Sequence, residues 1–513
     1  MFDRVTCLPG AQSSAPVNVW LARWLFLRAL GLIYLVAFAS FGSQVSGLIG
    51  ANGILPAAEY LQWMADHVGA QRLWLAPTVF RLNAGDTALQ LVYIAGAILS
   101  ALLLAGFERR ALLGLLFVLY LSLVTAGQDF MAYQWDSLLL EAGFLALWLD
   151  SPSDLSVWLF RWLLFRLMFL SGAMKLLSGD PAWRQLTALD FHFETEPLPT
   201  VIGWYAHQLP EWFHRLSAVA MFAIELGAPF LIFAARRLRL FAAASFIFLQ
   251  MLIFVTGNYT FFNLLAIALC LLLLDDDLLR RVLPHRLSAR IVESSGRRQR
   301  SRWNQRVLAV LACVYVLLSG FQTLGALTGR VPEPVGAVLT GLAPFRIVNN
   351  YGLFAVMTTT RPEIIVEGSN DGQTWLAYEF EYKPGDVQRP PSWAAPHQPR
   401  LDWQLWFAAL GYTTEKPWLT NRLFGSSSSA AFWLAGSNID PWFVSFMVRL
   451  LQGSPEVLAL MARNPFPGAP PRYVRALLYQ YHFSDAVSRA ASNAWWRREL
   501  KGIYFPAGSL GAH

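Results

Sequence analysis

The sequence predicts a polytopic α-helical membrane bundle of about nine transmembrane helices, followed by an α+β extramembrane domain with an antiparallel sheet. Three observations carry this. Of 513 residues, 55% are hydrophobic and only 14% charged, whereas a soluble domain carries about 25% charged residues. Mean hydropathy is +0.41. Tryptophan is frequent, with 21 residues beside 36 Phe and 16 Tyr, which suits rings lying at a membrane interface. The same composition excludes disorder, a coiled coil, a disulfide scaffold and a soluble enzyme.

A bilayer core of about 30 Å needs about 20 apolar residues per helix. On that scale the spans fall near 20–41, 86–106, 111–126, 134–150, 156–178, 216–235, 239–256, 259–274 and 307–327, the third and eighth being short. A cytoplasmic tail, 1–19, precedes them, and the transmembrane domain runs 20–327. Ala37-Phe38-Ala39 has the form of a signal-peptidase site, but the apolar run before it is long, so a retained helix is expected. Stretch 48–75, broken by Gly and Pro, reads as an amphipathic helix on the membrane surface.

The loops set the orientation. Glu108, Arg109 and Arg110 lie in loop 107–110, and Arg236, Arg237 and Arg239 in 236–239; loop 275–306 holds nine arginines against four acids. All three fall on one side, and positive-inside placement makes it cytoplasmic. Loops 42–85 and 179–215 then face outward, with residues 328–513. This clustering accounts for the net charge of +7 without nucleic acid.

Ionisable residues inside spans need a partner or a cavity. Asp136 and Lys175 lie near the outer ends of the fourth and fifth spans; Glu141, Arg166, Glu225 and Arg28 lie at middle depth. Matching depths argue for buried pairs that fix packing. The alternative is a polar cavity, which would make the chain an intramembrane enzyme or lipid-handling protein. His192, His207 and His214 share loop 179–215 with acids and aromatics, but the spacing defines no metal site, and no catalytic constellation or cofactor motif is present. Cys7, Cys270 and Cys313 are far apart and form no redox or zinc motif. Asn258-Tyr259-Thr260 fits a glycosylation sequon at the membrane boundary, where a helix-start role is expected.

In the outward domain, 346–358 and 363–369 read as strands, Asn370-Asp371-Gly372 as a hairpin turn and 375–383 as the returning strand. Segments 402–410, 440–452 and 455–463 read as helices, and 472–483 and 495–505 as late strands closing the sheet.

Several strings resemble the lipase maturation factor family of polytopic membrane proteins. They are YQWDSLLLEAGFLALWL (133–149), FRLMFLSGAMKL (165–176) and GNYTFFNLL (257–265), then NNYGLFAVMT (349–358), EGSNDGQTW (367–375), YEFEYKPGD (378–386), APHQPRLDWQLWFAAL (395–410), PRYVRALLYQYHF (471–483) and WWRRELKGIYF (495–505). The resemblance spans roughly 20–505. It implies a non-enzymatic, chaperone-like maturation factor seated in membrane lipid, of the endoplasmic reticulum in eukaryotic members, whose outward domain engages secreted lipases. Short basic loops and compact termini point to a bacterial member, with a periplasmic client. Candidate client contacts are Asn349, Asn350, Tyr351, Phe354, His397, Arg400, Asp402, Trp403, Trp406, Trp495 and Arg497. Asn349 and Asn350 alternatively build a turn, and His397 to Arg400 alternatively order the loop before a helix.

Overall fold

The computed structural model describes residues 19–149, 154–295, 302–413 and 439–510; the N-terminal tail before residue 19 and part of the 275–306 loop lie outside them. Five helices among these are long and apolar enough to cross a membrane: Trp20–Gly42, Asp86–Ala105, Leu155–Leu177, Arg236–Thr256 and Gln305–Thr328. Each falls on a predicted span. The other predicted spans are shorter as helices: Arg110–Ala126, Gln134–Ala146 and Phe262–Leu271. The sixth is interrupted. Glu211–Phe222 runs into a π turn at Ala223–Gly227 and resumes at Ala228–Leu231, where Pro229 has no N–H to return to the preceding turn. The first helix continues unbroken through Ala37-Phe38-Ala39. Segment 48–75 contains the amphipathic helix Ala57–Val68 and a short turn, Arg72–Leu75.

Close packing in the bundle is set by small residues. Gly96 lies against the Phe38 ring and Gly143 against the Tyr34 hydroxyl, leaving no room for a Cβ. One end of the bundle is tied by charge: Asp276 accepts from the amides of Trp20 and Leu21 at 3.0 and 2.9 Å, a carboxylate on a helix N-terminus. At this end Arg23 pairs with Glu108 at 2.7 Å, and Arg236 with Asp275 at 2.6 Å. Described residues of all three basic loops therefore meet at one end of the first helix and its neighbours.

The C-terminal region carries a four-stranded antiparallel sheet of order β2-β1-β3-β4: β1 Arg361–Ser369, β2 Leu376–Ala377, β3 Tyr473–Phe483 and β4 Trp496–Gly508. The β1–β2 turn forms where predicted. Asp371 accepts from the amides of Gln373 and Thr374 at 2.8 and 2.7 Å, which holds its carboxyl below the usual range, and Gly372 takes a positive φ of 71°. Helices Arg400–Thr413 and Pro441–Gln452 match expectation.

Three expectations are corrected. Segment 346–358 is not a strand: Arg346 and Phe354 take positive φ, and the Asn349 amide bonds to Glu141 in the bundle instead of a ladder. The returning strand is only two residues long, because the amides of Tyr382 and Lys383 go to the Asp402 carboxylate at 3.1 and 2.9 Å. Helix 455–463 stops at Leu458, and Arg463 instead bridges Glu379. Bundle and C-terminal region share one continuous core, in which Leu138, Leu163, Ile364, Trp403 and Trp442 are all buried.

Candidate functional site

Three of the predicted intramembrane residues, Asp136, Glu141 and Arg166, meet the C-terminal region along a seam with the bundle. Its centre is Glu141, with no exposed surface. Oε1 pairs with Arg166 and accepts from the Tyr315 hydroxyl at 2.6 Å. Oε2 accepts from the Asn349 amide at 3.1 Å, Asn349 Nδ2 at 2.8 Å and the Tyr351 hydroxyl at 2.6 Å. Arg166 also donates to the Asn349 carbonyl at 3.2 Å and the Tyr315 hydroxyl at 2.9 Å. Both carboxylate oxygens are saturated, as a charge buried in low dielectric requires.

A second tie lies one turn nearer the start of the same helix. Arg400 forks onto Asp136, Nη1 to Oδ2 and Nη2 to Oδ1, both at 3.0 Å, and donates to the Phe130 carbonyl at 2.6 Å; Tyr120 donates to the same carboxylate. The bidentate geometry suits guanidinium and carboxylate planes. Around it, Ser40 Oγ meets His397 Nδ1 and the Gln398 amide, each at 2.9 Å, and Gln44 Oε1 accepts from the Arg400 amide at 2.9 Å. A third tie is Asn258, which donates to Leu198 and Ser392 carbonyls at 3.0 and 2.8 Å and accepts from Ala394 and Ala395 amides at 2.7 and 2.9 Å. It braces two segments and caps no helix, contrary to the expected helix-start role.

The remaining intramembrane candidates pair elsewhere. Lys175 donates to both Glu225 oxygens, at 2.9 and 2.7 Å, where the π turn carries Glu225 toward it. Arg28 pairs with Glu108 at 3.0 Å at the basic end, not with an acid at middle depth. Glu141, Arg166, Glu225 and Arg28 are thus divided among three separate clusters. Among the described residues, surface depressions lie beside Pro199, Lys383 and Trp496 and in an open groove lined by His482, Arg497, Arg498 and Glu499.

The proposed client contacts fall into two groups. Tyr351, Arg400, Asp402, Trp403, Trp406 and Trp495 are buried, and Asn349, Phe354 and His397 are partly so. Their side chains face inward: Trp403 packs on Tyr133, Trp135 and Tyr259, Trp406 donates to the Thr195 carbonyl at 3.1 Å, and Phe354 packs on His192 and Tyr259. Burial raises the Asp402 carboxyl to about 6 and lowers His397 to about 4. Only Asn350 and Arg497 of the set are exposed.

Loop 179–215 is drawn into the same seam. Glu194 accepts from the Phe483 amide at 2.8 Å and meets His482 at 2.9 Å; His214 meets Asp190 at 2.8 Å. Arg361, fully buried, donates to the carbonyls of Glu194, Glu196 and Pro197. Sequence reasoning missed Tyr120, Tyr315, Ser40, Gln44 and Arg361. The signal for the tyrosines was a hydroxyl inside an apolar run, which has to find a partner when buried.

Comparison with known proteins agrees with this division. Residues 21–281 match the lipase maturation factor transmembrane domain, and residues 347–425 and 429–506 match the lipase maturation factor C-terminal domain. Human lipase maturation factor 2 is 37% identical, with 96% of this chain and 83% of that protein covered. The chicken (Gallus gallus) protein of that name is 36% identical, covering 95% and 81%. Lipase maturation factor 1 of Bos taurus is 35% identical, covering 95% and 89%. No solved structure gives a significant match. A bundle of membrane-length apolar helices, a matched transmembrane domain and relatives of nearly full coverage make this an integral membrane protein that belongs to the lipase maturation factor family.

Proposed function

We propose that the chain is a non-enzymatic, membrane-anchored maturation factor that helps secreted or periplasmic lipases reach their active fold, working through the outward face of its C-terminal region. One observation supports this above others: the bundle's buried carboxylates at the seam are consumed in holding the C-terminal region, so its polar chemistry is spent on fastening. Glu141 and Asp136 each accept from a C-terminal residue more than 200 positions away. What remains open to solvent at the sheet is its edge strand β4, where Arg497 to Lys501 are exposed. With no nucleotide-binding motif in the sequence, assistance draws on binding free energy alone.

The test is lipase specific activity. A secreted lipase is produced with and without this protein, and activity is divided by the mass of lipase secreted. The expected result is a rise in specific activity with the protein present; a specific activity that does not depend on it refutes the reading. Orientation is tested separately. A cysteine introduced by Arg497→Cys should react with an impermeant maleimide in intact cells, and one introduced by Arg286→Cys should react only after lysis.

A further inference from the structure

Strand β4 closes the sheet on one side and, among the described residues, ladders only with β3. Trp496 is buried, but the next five residues, Arg497 to Lys501, are all exposed, so among the described residues side chains on both faces of this part of the strand meet solvent and no strand pairs with its outer edge. Its ladder is regular from Phe483↔Trp496 through Tyr479↔Leu500, and the first register shift falls at Lys501, since Leu478 pairs with Gly502. A bulge bends an edge and spoils it for pairing; here the nearest bulge sits at Lys501 and leaves Arg497 to Leu500 regularly paired. An edge of this kind presents backbone donors and acceptors to an incoming strand.

The side chains say which strand. Lys501 is within 3.0 Å of Glu499, so that acid is already neutralised. On the strand itself Arg497, Arg498 and Lys501 outnumber Glu499, with His482 beside them, along an open groove of about 410 Å³, while Asp485 and Glu379 lie within electrostatic reach of Arg497 and Arg498. Between the cations Leu500 is 55% exposed and offers an apolar seat. Cations along the edge repel the same edge of another copy, which guards against self-association, and they favour an acidic partner.

We propose that Arg497–Leu500, with Lys501 at its bulged end, is a strand-acceptor site that takes an extended client segment of alternating acidic and apolar residues as a fifth strand of the sheet. This rests on the maturation reading and names how the client is held.

Full-length protein in nanodiscs, with benzoylphenylalanine in place of Glu499, is irradiated with short fluorescent peptides. One alternates Val and Glu, one alternates Val and Lys, and one is the Val/Glu peptide interrupted by prolines. The Val/Glu peptide should be captured, the Val/Lys peptide about tenfold less well, and the proline-broken peptide should be lost, since proline cannot complete a ladder. The Arg497→Glu, Lys501→Glu double variant should reverse the preference toward Val/Lys, a gain that misfolding cannot imitate. Equal capture of all three peptides, or of none, overturns the site. The same variant is then assayed for lipase specific activity. If the lipase depends on the protein but the variant matches wild type, the client site is elsewhere and the maturation reading stands. If the lipase is indifferent to the protein, the maturation reading falls, and the peptide preferences alone decide the edge.

Discussion

Replacing Glu141 by glutamine removes one charge and almost no volume, which isolates the electrostatic part of the seam. The carboxylate takes an ion pair from Arg166, hydroxyls from Tyr315 and Tyr351, and two donors from Asn349. Glutamine keeps one acceptor oxygen and turns an NH₂ toward the others. If the oxygen stays with Arg166 and Tyr315, the Asn349 donors face another donor. Arg166 is left without a full counter-charge at a site with no solvent. Breaking a buried pair on one side costs about 3–5 kcal/mol, and the stranded donors add to the same loss without adding linearly. We expect Glu141→Gln to lower the unfolding free energy by about 3–5 kcal/mol, read by tryptophan fluorescence during reversible unfolding in mixed micelles. Adding Arg166→Met should recover part of this, because it removes the unpaired charge. A Glu141→Gln protein within about 1 kcal/mol of wild type, or a double variant worse than the single, would refute the account.

Asp136→Asn should free the Arg400 fork and cost a similar amount, about 3–5 kcal/mol, seen as faster protease nicking within 392–400. Gly96→Ala places a methyl into the Phe38 ring and should cost about 1–3 kcal/mol from overpacking, lowering the midpoint of thermal aggregation; Phe38→Leu in the same chain should restore much of it. His192 is lowered to about 4 by burial, with Lys175 nearby. Because its folded value lies below the unfolded value of about 6.5, the native state binds fewer protons. Its contribution is therefore complete above that value and is lost as pH falls from about 6.5 toward 4. At pH 5 this amounts to about 2 kcal/mol, so His192→Gln should flatten the stability profile between pH 5 and 8 relative to wild type. An unchanged slope would count against burial as the cause.

Membrane helices were legible because a span is a local property: Trp20–Gly42 or Arg236–Thr256 is apolar along its own length. Strands β3 and β4 were legible for the same reason, as β-branched and aromatic runs. Segment 346–358 has similar composition and failed, because the destination of the Asn349 amide is decided by Glu141, elsewhere in the chain. Charge partners were equally hidden. Depth matched Glu141 to Arg166 correctly, but it offered nothing for Asp136, whose partner Arg400 lies in the extramembrane sequence and reads as a surface arginine. Aromatic and arginine side chains near a binding domain look alike in sequence whether they face a client or the core, and Trp403 and Arg400 face the core.

The Glu141–Asn349 bond also sets an order in time. Its partners are 208 residues apart, and at about 5–20 residues per second of synthesis Asn349 emerges roughly 10–40 s after Glu141. During that interval Glu141 has Arg166 and no Asn349 or Tyr351, and Asp136 has no Arg400. The membrane half of the chain thus waits in an incomplete state for its own C-terminal region. Premature termination anywhere before Arg400 would leave Asp136 without its guanidinium partner, and before Asn349 would leave Glu141 short of its donors as well, so a truncated chain is incomplete in its membrane half too.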